Sequence, residues 1–315
     1  MRTPSALILG LIGAALLAGC AGHPADPATA ATVDATTISR ADFTARLGTL
    51  TVNPDVRSAI DADHDARQRL EAGVLGNLVD AALISEGATK LGVEITDAQL
   101  QAYIDGLVRT ELGGAPNAWQ RFLQQRGYPE AEIGTQLRES LLREAVEDHL
   151  LPHPVVAPER IAAVYQDQYA GRSVIRHILV EQERQARRVL ERLAAGEDFA
   201  TLAAELSLDA QSARSGGYLG PYLKEAFVAP FEEAVENARD GQTVGPVQTP
   251  FGYHLIERRP PSTLAEVRGE IERTLAEKLQ DETFTTWLAQ LRKRADVRVD
   301  VHIGRWDAAS GTVQP

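Results

Sequence analysis

Apolar positions along the chain repeat first at helical spacing, then at strand spacing, then at helical spacing again. Leu70, Val74, Leu75, Leu78, Val79 and Leu83 recur at three- and four-residue steps and predict a helix from Ala62 to about Leu91, stopped by Gly92. Ser39 with Asp42, and Thr96 with Gln99, have capping-box spacing. They predict helix starts ahead of Phe43 and Leu47, and ahead of Leu100, Ile104, Leu107 and Val108. Further helices are expected near Asn117 to Arg126, from Pro129 to Leu150, and from Pro158 through Ile161, Val164 and Tyr165, since proline suits a first turn. Pro152 and Pro154 separate the last two. ATVDATTI reads as a short strand before Ser39, but the pattern as a whole predicts an all-helical domain over residues 35–170.

From Ser173 the period changes. SVIRHILV is β-like; helices from Gln182 to Ala195 and from Phe199 to Leu206 follow, then a Gly-rich turn and a helix around Phe231 to Ala238. Two strand signals, Thr243 to Thr249 and Gly252 to Arg258, complete a compact α+β unit of about 90 residues. Beyond Pro260 and Pro261, the positions Leu264, Val267, Ile271, Leu275, Leu279, Phe284, Leu288 and Leu291 predict a helix over residues 262–295, followed by a tail at 296–315. A lone helix after a complete domain needs an apolar partner. It is expected to complete the N-terminal helical domain, which makes the α+β unit an insertion.

Composition narrows the function. At 315 residues, 44% hydrophobic and 24% charged, the chain has room for two domains and is not disordered throughout. A net charge of −12, with acids mixed among the arginines, leaves no basic footprint, so no nucleic-acid partner is expected. Residues 1–19 carry Arg2, an uncharged and mostly apolar run from Ala6 to Ala18, and then small residues; this is a signal-peptide pattern, too short for a comfortable membrane span. Leu17-Ala18-Gly19-Cys20 resembles a bacterial lipobox, which implies that Cys20 is lipidated and anchors the mature protein to a membrane. A plain secretory signal or a short N-terminal anchor is the alternative. Cys20 is the only cysteine and Met1 the only methionine, so the chain beyond residue 20 has nothing to oxidise on the cysteine and methionine ladder, which suits an extracytoplasmic site. Residues 20–34, rich in Ala, Pro and Thr, read as a flexible tether.

Ordinary catalytic signals are missing. His149 and His153 are separated by Pro152, which breaks the helix that would align them as metal ligands, and no metal is expected. Ser140 and Ser207 lack a nucleophile elbow, and no phosphate loop or dinucleotide fingerprint calls for a cofactor.

Five pieces in order, RHILV, GEDFATLAAELS, SLDAQSARSGGYLGPY, FVAPFEEAV and VGPVQTPFGYHLIERR, closely resemble the parvulin family of peptidyl-prolyl cis/trans isomerases, over residues 172–259. The surrounding signal peptide and helices resemble the SurA-like and PrsA-like extracytoplasmic foldases, and VRVDVHIGRWDAASGTV looks like the ending of some lipoproteins of that group. The resemblance implies a parvulin domain, a small antiparallel sheet with surrounding helices, beside a SurA N-terminal-like chaperone domain. It also implies clients that are unfolded or partly folded exported polypeptides with X-Pro bonds, handled at the outer face of a membrane.

The resemblance assigns residues too. His177 and His254 match the paired histidines of the pocket floor, and Thr249 the hydroxyl that bonds into the pair. Asp209 matches the place taken by Cys or Asp, with Ala210 as the alternative by one residue. Leu219, Phe227 and Phe231 match the apolar wall that receives proline, with Phe227 and Phe231 read as i and i+4 on a helix. Two departures stand out: Tyr218 replaces the acid of GGDLG, which is expected to change the surface beside the groove, and Phe227 replaces the usual Met. They leave room for a second reading, a holdase whose parvulin domain only recognises chains. A solute-binding lipoprotein would need two α/β lobes, and residues 39–170 lack that alternation.

Overall fold

The computed structural model describes residues 28–315; Cys20, the expected signal peptide and the first part of the expected tether lie outside the described residues. In chain order the elements are β1 (Thr29–Val33), β2 (Thr36–Ser39), α1 (Arg40–Thr51), α2 (Pro54–Ala62), α3 (His64–Leu91), α4 (Asp97–Thr110), α5 (Ala118–Arg126), α6 (Glu130–Leu150) and α7 (Pro158–Gln168). Next come β3 (Ser173–Val180), α8 (Glu183–Ala194), α9 (Phe199–Leu206), α10 (Ala210–Ala213), β4 (Tyr218–Pro221), α11 (Ala229–Asn237), β5 (Gln242–Thr249) and β6 (Gly252–Pro261). The chain ends with α12 (Leu264–Arg294), β7 (Val297–Val299), β8 (Arg305–Asp307) and β9 (Thr312–Gln314). It divides into two compact units, one of residues up to Val146 with Thr286–Pro315, the other Glu147–Thr285.

In the first unit both expected capping boxes form: Ser39 Oγ accepts from Asp42 N–H, Thr96 Oγ1 accepts from Gln99 N–H, and the Asp42 and Gln99 side chains return the bond. α3 is stopped by Gly92 at φ 73°, a left-handed cap that glycine enters without steric cost. Gly87 of α3 is needed for a different reason, because a Cβ there would lie 2.5 Å from the Trp287 ring of α12.

The first unit is helical as expected, and short strands that the periodicity does not announce accompany its helices. β1, β2 and β7 form a three-stranded antiparallel sheet in the order β2-β1-β7, and β8 pairs with β9 as a hairpin. Thr29–Val33, where the expected tether meets the strand-like ATVDATTI, is the central strand of that sheet, and the expected tail supplies β7 through the pairs Ala31↔Val299 and Val33↔Val297. Such short strands are stable only when paired, and the partner is more than 260 residues away. α2 was also unforeseen; Asn53 caps it, Pro54 starts it, and Ile60 is its one buried residue.

In the second unit, α7 and the first half of α12 share an apolar cluster of Val156, Ile161, Tyr169, Val267, Ile271 and Leu275. The sheet has the order β4-β3-β6-β5 with antiparallel neighbours. Its two faces follow from the two-residue strand period. Ile178, Val180 and Leu255 pack under α8 and α9 with Val189, Phe199 and Leu202. Ile175 and Ile256 point the other way, against Phe231 and Val235 of α11. Pro260 and Pro261, expected to end the unit, lie within β6. Ser173 pairs with Pro261 and Val174 with Arg259, so Pro260 falls in a bulge that needs no N–H donor.

Candidate active site

Strand parity places the two histidines. His177 follows Ile175 by two residues and His254 precedes Ile256 by two, so both side chains emerge on the α11 face. Register then brings them together: His177 pairs with Ile256 and Leu179 with His254, which makes the histidines diagonal neighbours across β3 and β6. Their rings are 5.3 Å apart, stacked within 20° of parallel, and both are buried. Gly217 keeps β4 close at this point; its carbonyl accepts from His177 N–H at 2.8 Å, and a Cβ on it would meet the His177 carbonyl at 2.3 Å.

A single hydrogen-bonded chain crosses the site. His177 Nε2 lies 2.8 Å from Asp209 Oδ2, His177 Nδ1 lies 3.1 Å from His254 Nδ1, and His254 Nε2 lies 2.8 Å from Thr249 Oγ1. Asp209 also accepts from the Ser212 hydroxyl at 2.6 Å, and Thr249 Oγ1 accepts from Phe251 N–H at 3.1 Å. The carboxylate can only accept, so His177 Nε2 carries a proton. A neutral His177 then accepts at Nδ1 from His254 Nδ1–H, and His254 Nε2 accepts from the Thr249 hydroxyl. This assignment of tautomers satisfies every member with both imidazoles neutral.

For His254 the electrostatics agree with it. Burial, and then the neighbouring His177, push His254 down to about 4. The Ser212 hydroxyl, and then His177, hold Asp209 at about 2 against the opposing effect of burial. Asp209 stands at the open end of the chain, its side chain 28% exposed against 8% for His177. Its position is set locally: Oδ1 caps α10 by accepting from the backbone N–H of Gln211 and Ser212, leaving Oδ2 for the histidine. The one-residue ambiguity with Ala210 is thereby removed.

Over the histidines lies an aromatic wall. Phe231 meets His254 edge-on at 5.2 Å and His177 at 5.9 Å, and Phe227 stacks on Phe231 at 4.8 Å. Leu219, partly buried, packs in the same cluster. Phe227 is not on the helix with Phe231: α11 begins at Ala229, and Phe227 belongs to the preceding loop, because Pro230 sets the first turn there. Tyr218 is not beside the pocket either; it pairs with Arg176 on the opposite face of the sheet, near Glu270, and is half-buried. Ser212, buried and bonded to both Asp209 and His177, was missed from sequence, where its only signal was a hydroxyl three residues after a capping Asp.

Residues 177–259 match the family model of the PPIC-type PPIASE domain, and residues 3–147 match that of the SurA-like N-terminal domain. The four-stranded sheet and its paired histidines therefore define a parvulin-type peptidyl-prolyl cis/trans isomerase. A foldase protein PrsA from Geobacillus kaustophilus is 30% identical over 242 residues, covering 75% of this chain and 80% of that protein. A probable parvulin-type peptidyl-prolyl cis-trans isomerase from Bordetella pertussis is 34% identical over 181 residues, covering 54% and 68%. The crystal structure of PrsA from Bacillus subtilis is 24% identical, covers 73% of this chain and 86% of that one, and has a TM-score of 0.46. The chain belongs to the PrsA foldase family.

Proposed function

We propose that His177, Asp209, Thr249 and His254 carry the isomerisation, that Leu219, Phe227 and Phe231 receive the proline ring, and that the protein serves exported polypeptides from a lipid anchor at Cys20 on the outer face of a membrane. The observation that carries the catalytic part is the unbroken hydrogen-bonded chain from Thr249 to Asp209 lying directly beneath an aromatic wall.

Rotation about a peptide bond faces a barrier of about 18–20 kcal/mol, and no covalent step is needed to lower it. The planar amide is polarised, with negative charge on its carbonyl oxygen; the twisted transition state loses that resonance. An apolar wall stabilises the less polar twisted form over the planar one. A negative Asp209 at the pocket mouth disfavours charge on the carbonyl oxygen and so weakens the resonance further. The histidines bond to each other, to Asp209 and Ser212 at one end and to Thr249 at the other. Their part is to hold Asp209 and the pocket floor in place through the hydrogen-bonded chain.

The anchor is supported by the sequence around Cys20, and the export setting by the signal-peptide pattern before it. Replacing Cys20 with serine should abolish incorporation of labelled fatty acid and release the protein from membranes. Refolding of a client limited by an X-Pro bond should be accelerated at catalytic concentrations, and this acceleration should vanish in the His254→Ala variant; acceleration that survives the substitution would defeat the catalytic assignment.

A holdase activity of the first unit is a second reading, favoured by a cavity of about 750 Å³ lined by Ile38, Arg46, Leu78, Glu132, Glu139 and Leu142. A proline-free client separates the two, since suppression of its aggregation owes nothing to isomerisation.

A further inference from the structure

The loop between β4 and α11, Tyr222 to Val228, brings Phe227 over the site, and Tyr222 and Phe227 are its residues that pack on the apolar cluster. Leu223, Lys224, Glu225, Ala226 and Val228 are all exposed. Polar bonds at its far side tie down the exposed part. The Tyr222 hydroxyl donates to Glu232 Oε1 at 2.8 Å, and the Glu225 backbone N–H donates to the same oxygen at 2.5 Å. Glu236 Oε1 is 3.1 Å from that hydroxyl, but a phenol has one proton, and the nearer Glu232 is its main acceptor. Glu225 sits at φ 66°, a left-handed conformation that costs a non-glycine residue about 1–2 kcal/mol and persists only where surrounding bonds impose it. From Tyr222 the rings run inward without a break. Tyr222 lies parallel to Phe227 within 8° at 6.5 Å, Phe227 stacks on Phe231 at 4.8 Å, and Phe231 meets His254.

We propose that Glu232 is a positioning residue for the isomerase: it pins Tyr222 and Glu225 and thereby holds Phe227 against Phe231 as the wall on which proline packs. The inference rests on the reading that Leu219, Phe227 and Phe231 receive the proline. Glu232 itself makes no bond to the histidine chain, so its removal loosens the wall and leaves the floor intact. Substrate must then order the loop as it binds, which weakens binding without slowing the bound complex.

The test is steady-state isomerisation of a proline tetrapeptide by the full chain. Glu232→Ala should raise KM about tenfold, equivalent to about 1.4 kcal/mol, with kcat within about twofold of the unmodified chain. Glu232→Gln keeps an acceptor oxygen and should return KM to within about threefold. Tyr222→Phe, which keeps the ring and loses the hydroxyl, should fall between them and serves if Glu232→Ala does not fold. Glu233→Ala removes the same charge from the next, exposed position and should leave KM unchanged. An unchanged KM in both Glu232→Ala and Tyr222→Phe, or an equal rise in Glu233→Ala, overturns the proposal. Phe227→Ala separates the two levels. If it raises KM while Glu232→Ala does not, the clamp alone fails; if it leaves KM unchanged, the pocket reading fails and the clamp with it.

Discussion

Ser212→Ala removes one hydroxyl from the charged end of the site and leaves the histidines in place. That hydroxyl donates to Asp209 Oδ2 at 2.6 Å and is the first cause of a carboxyl held at about 2, below its usual 3.8. The whole depression corresponds to about 2 kcal/mol at roughly 1.4 kcal/mol per pH unit, once solvent screening of the partly exposed carboxyl is allowed for. A hydrogen bond to a charged group contributes about 1.5–3 kcal/mol, so the hydroxyl accounts for a large part of it. Because the folded value lies below the unfolded one, this stability is present above pH 3.8 and lost as the pH falls through 3.8 toward 2. In the variant the Asp209 carboxyl should titrate about one pH unit higher, followed by carbon-13 NMR, and stability at pH 7 should drop by about 1–2 kcal/mol in chemical denaturation. The acid limb of kcat/KM, read by NMR exchange of a proline peptide, should move up by the same amount. Asp209 titrating unchanged in the variant would refute the reasoning, because the depression would then arise elsewhere.

Other expectations follow from the same geometry. His254 refuses a proton down to about pH 4 while its unfolded form accepts one near 6.5, so stability should decline by about 1.4 kcal/mol per pH unit between 6.5 and 4, to a total of about 3 kcal/mol; a His254→Asn variant should lack that slope, and a slope of equal size in the variant would assign it to other groups. Thr249→Val strands the buried His254 Nε2 and should lower kcat/KM about tenfold, with Thr249→Ser restoring it, as an unmade buried hydrogen bond costs about 1–3 kcal/mol. Phe231→Ala should destabilise the second unit by about 3–5 kcal/mol, since the side chain is 3% exposed and contacts both histidine rings; a loss under 1 kcal/mol would mean the pocket collapses around it. Gly87→Ala should destabilise the first unit by about 1–3 kcal/mol through collision with Trp287, and Trp287→Phe should relieve part of that loss.

Helices were readable wherever local chemistry and periodicity agreed: Ser39 with Asp42, Thr96 with Gln99, and Pro158 each mark a start that the fold uses. The strand around His177 was readable because it is buried on both faces and so shows a continuous apolar run. The three-residue β7 carries no such signal, since it becomes a strand only by pairing with β1. Proline at 260 and 261 looked like a terminator because a bulge opposite Ser173 cannot be seen in one strand alone. At the site, types and order pointed to His177, Asp209, Thr249 and His254, whereas the direction of each hydrogen bond depends on register across β3 and β6. Ser212 escaped notice because its place in the chain looks like ordinary helix capping, and Phe227 was put on the wrong element because i, i+4 spacing continues through the Pro230 boundary.

Catalysed cis/trans exchange of a proline tetrapeptide, measured by NMR on the full chain and on Asp209→Ala and His254→Ala, tests the central claim most directly. Exchange far above the uncatalysed rate is expected for the unmodified chain, with each substitution removing most of the acceleration while the fold persists. Full acceleration in both folded variants would contradict it.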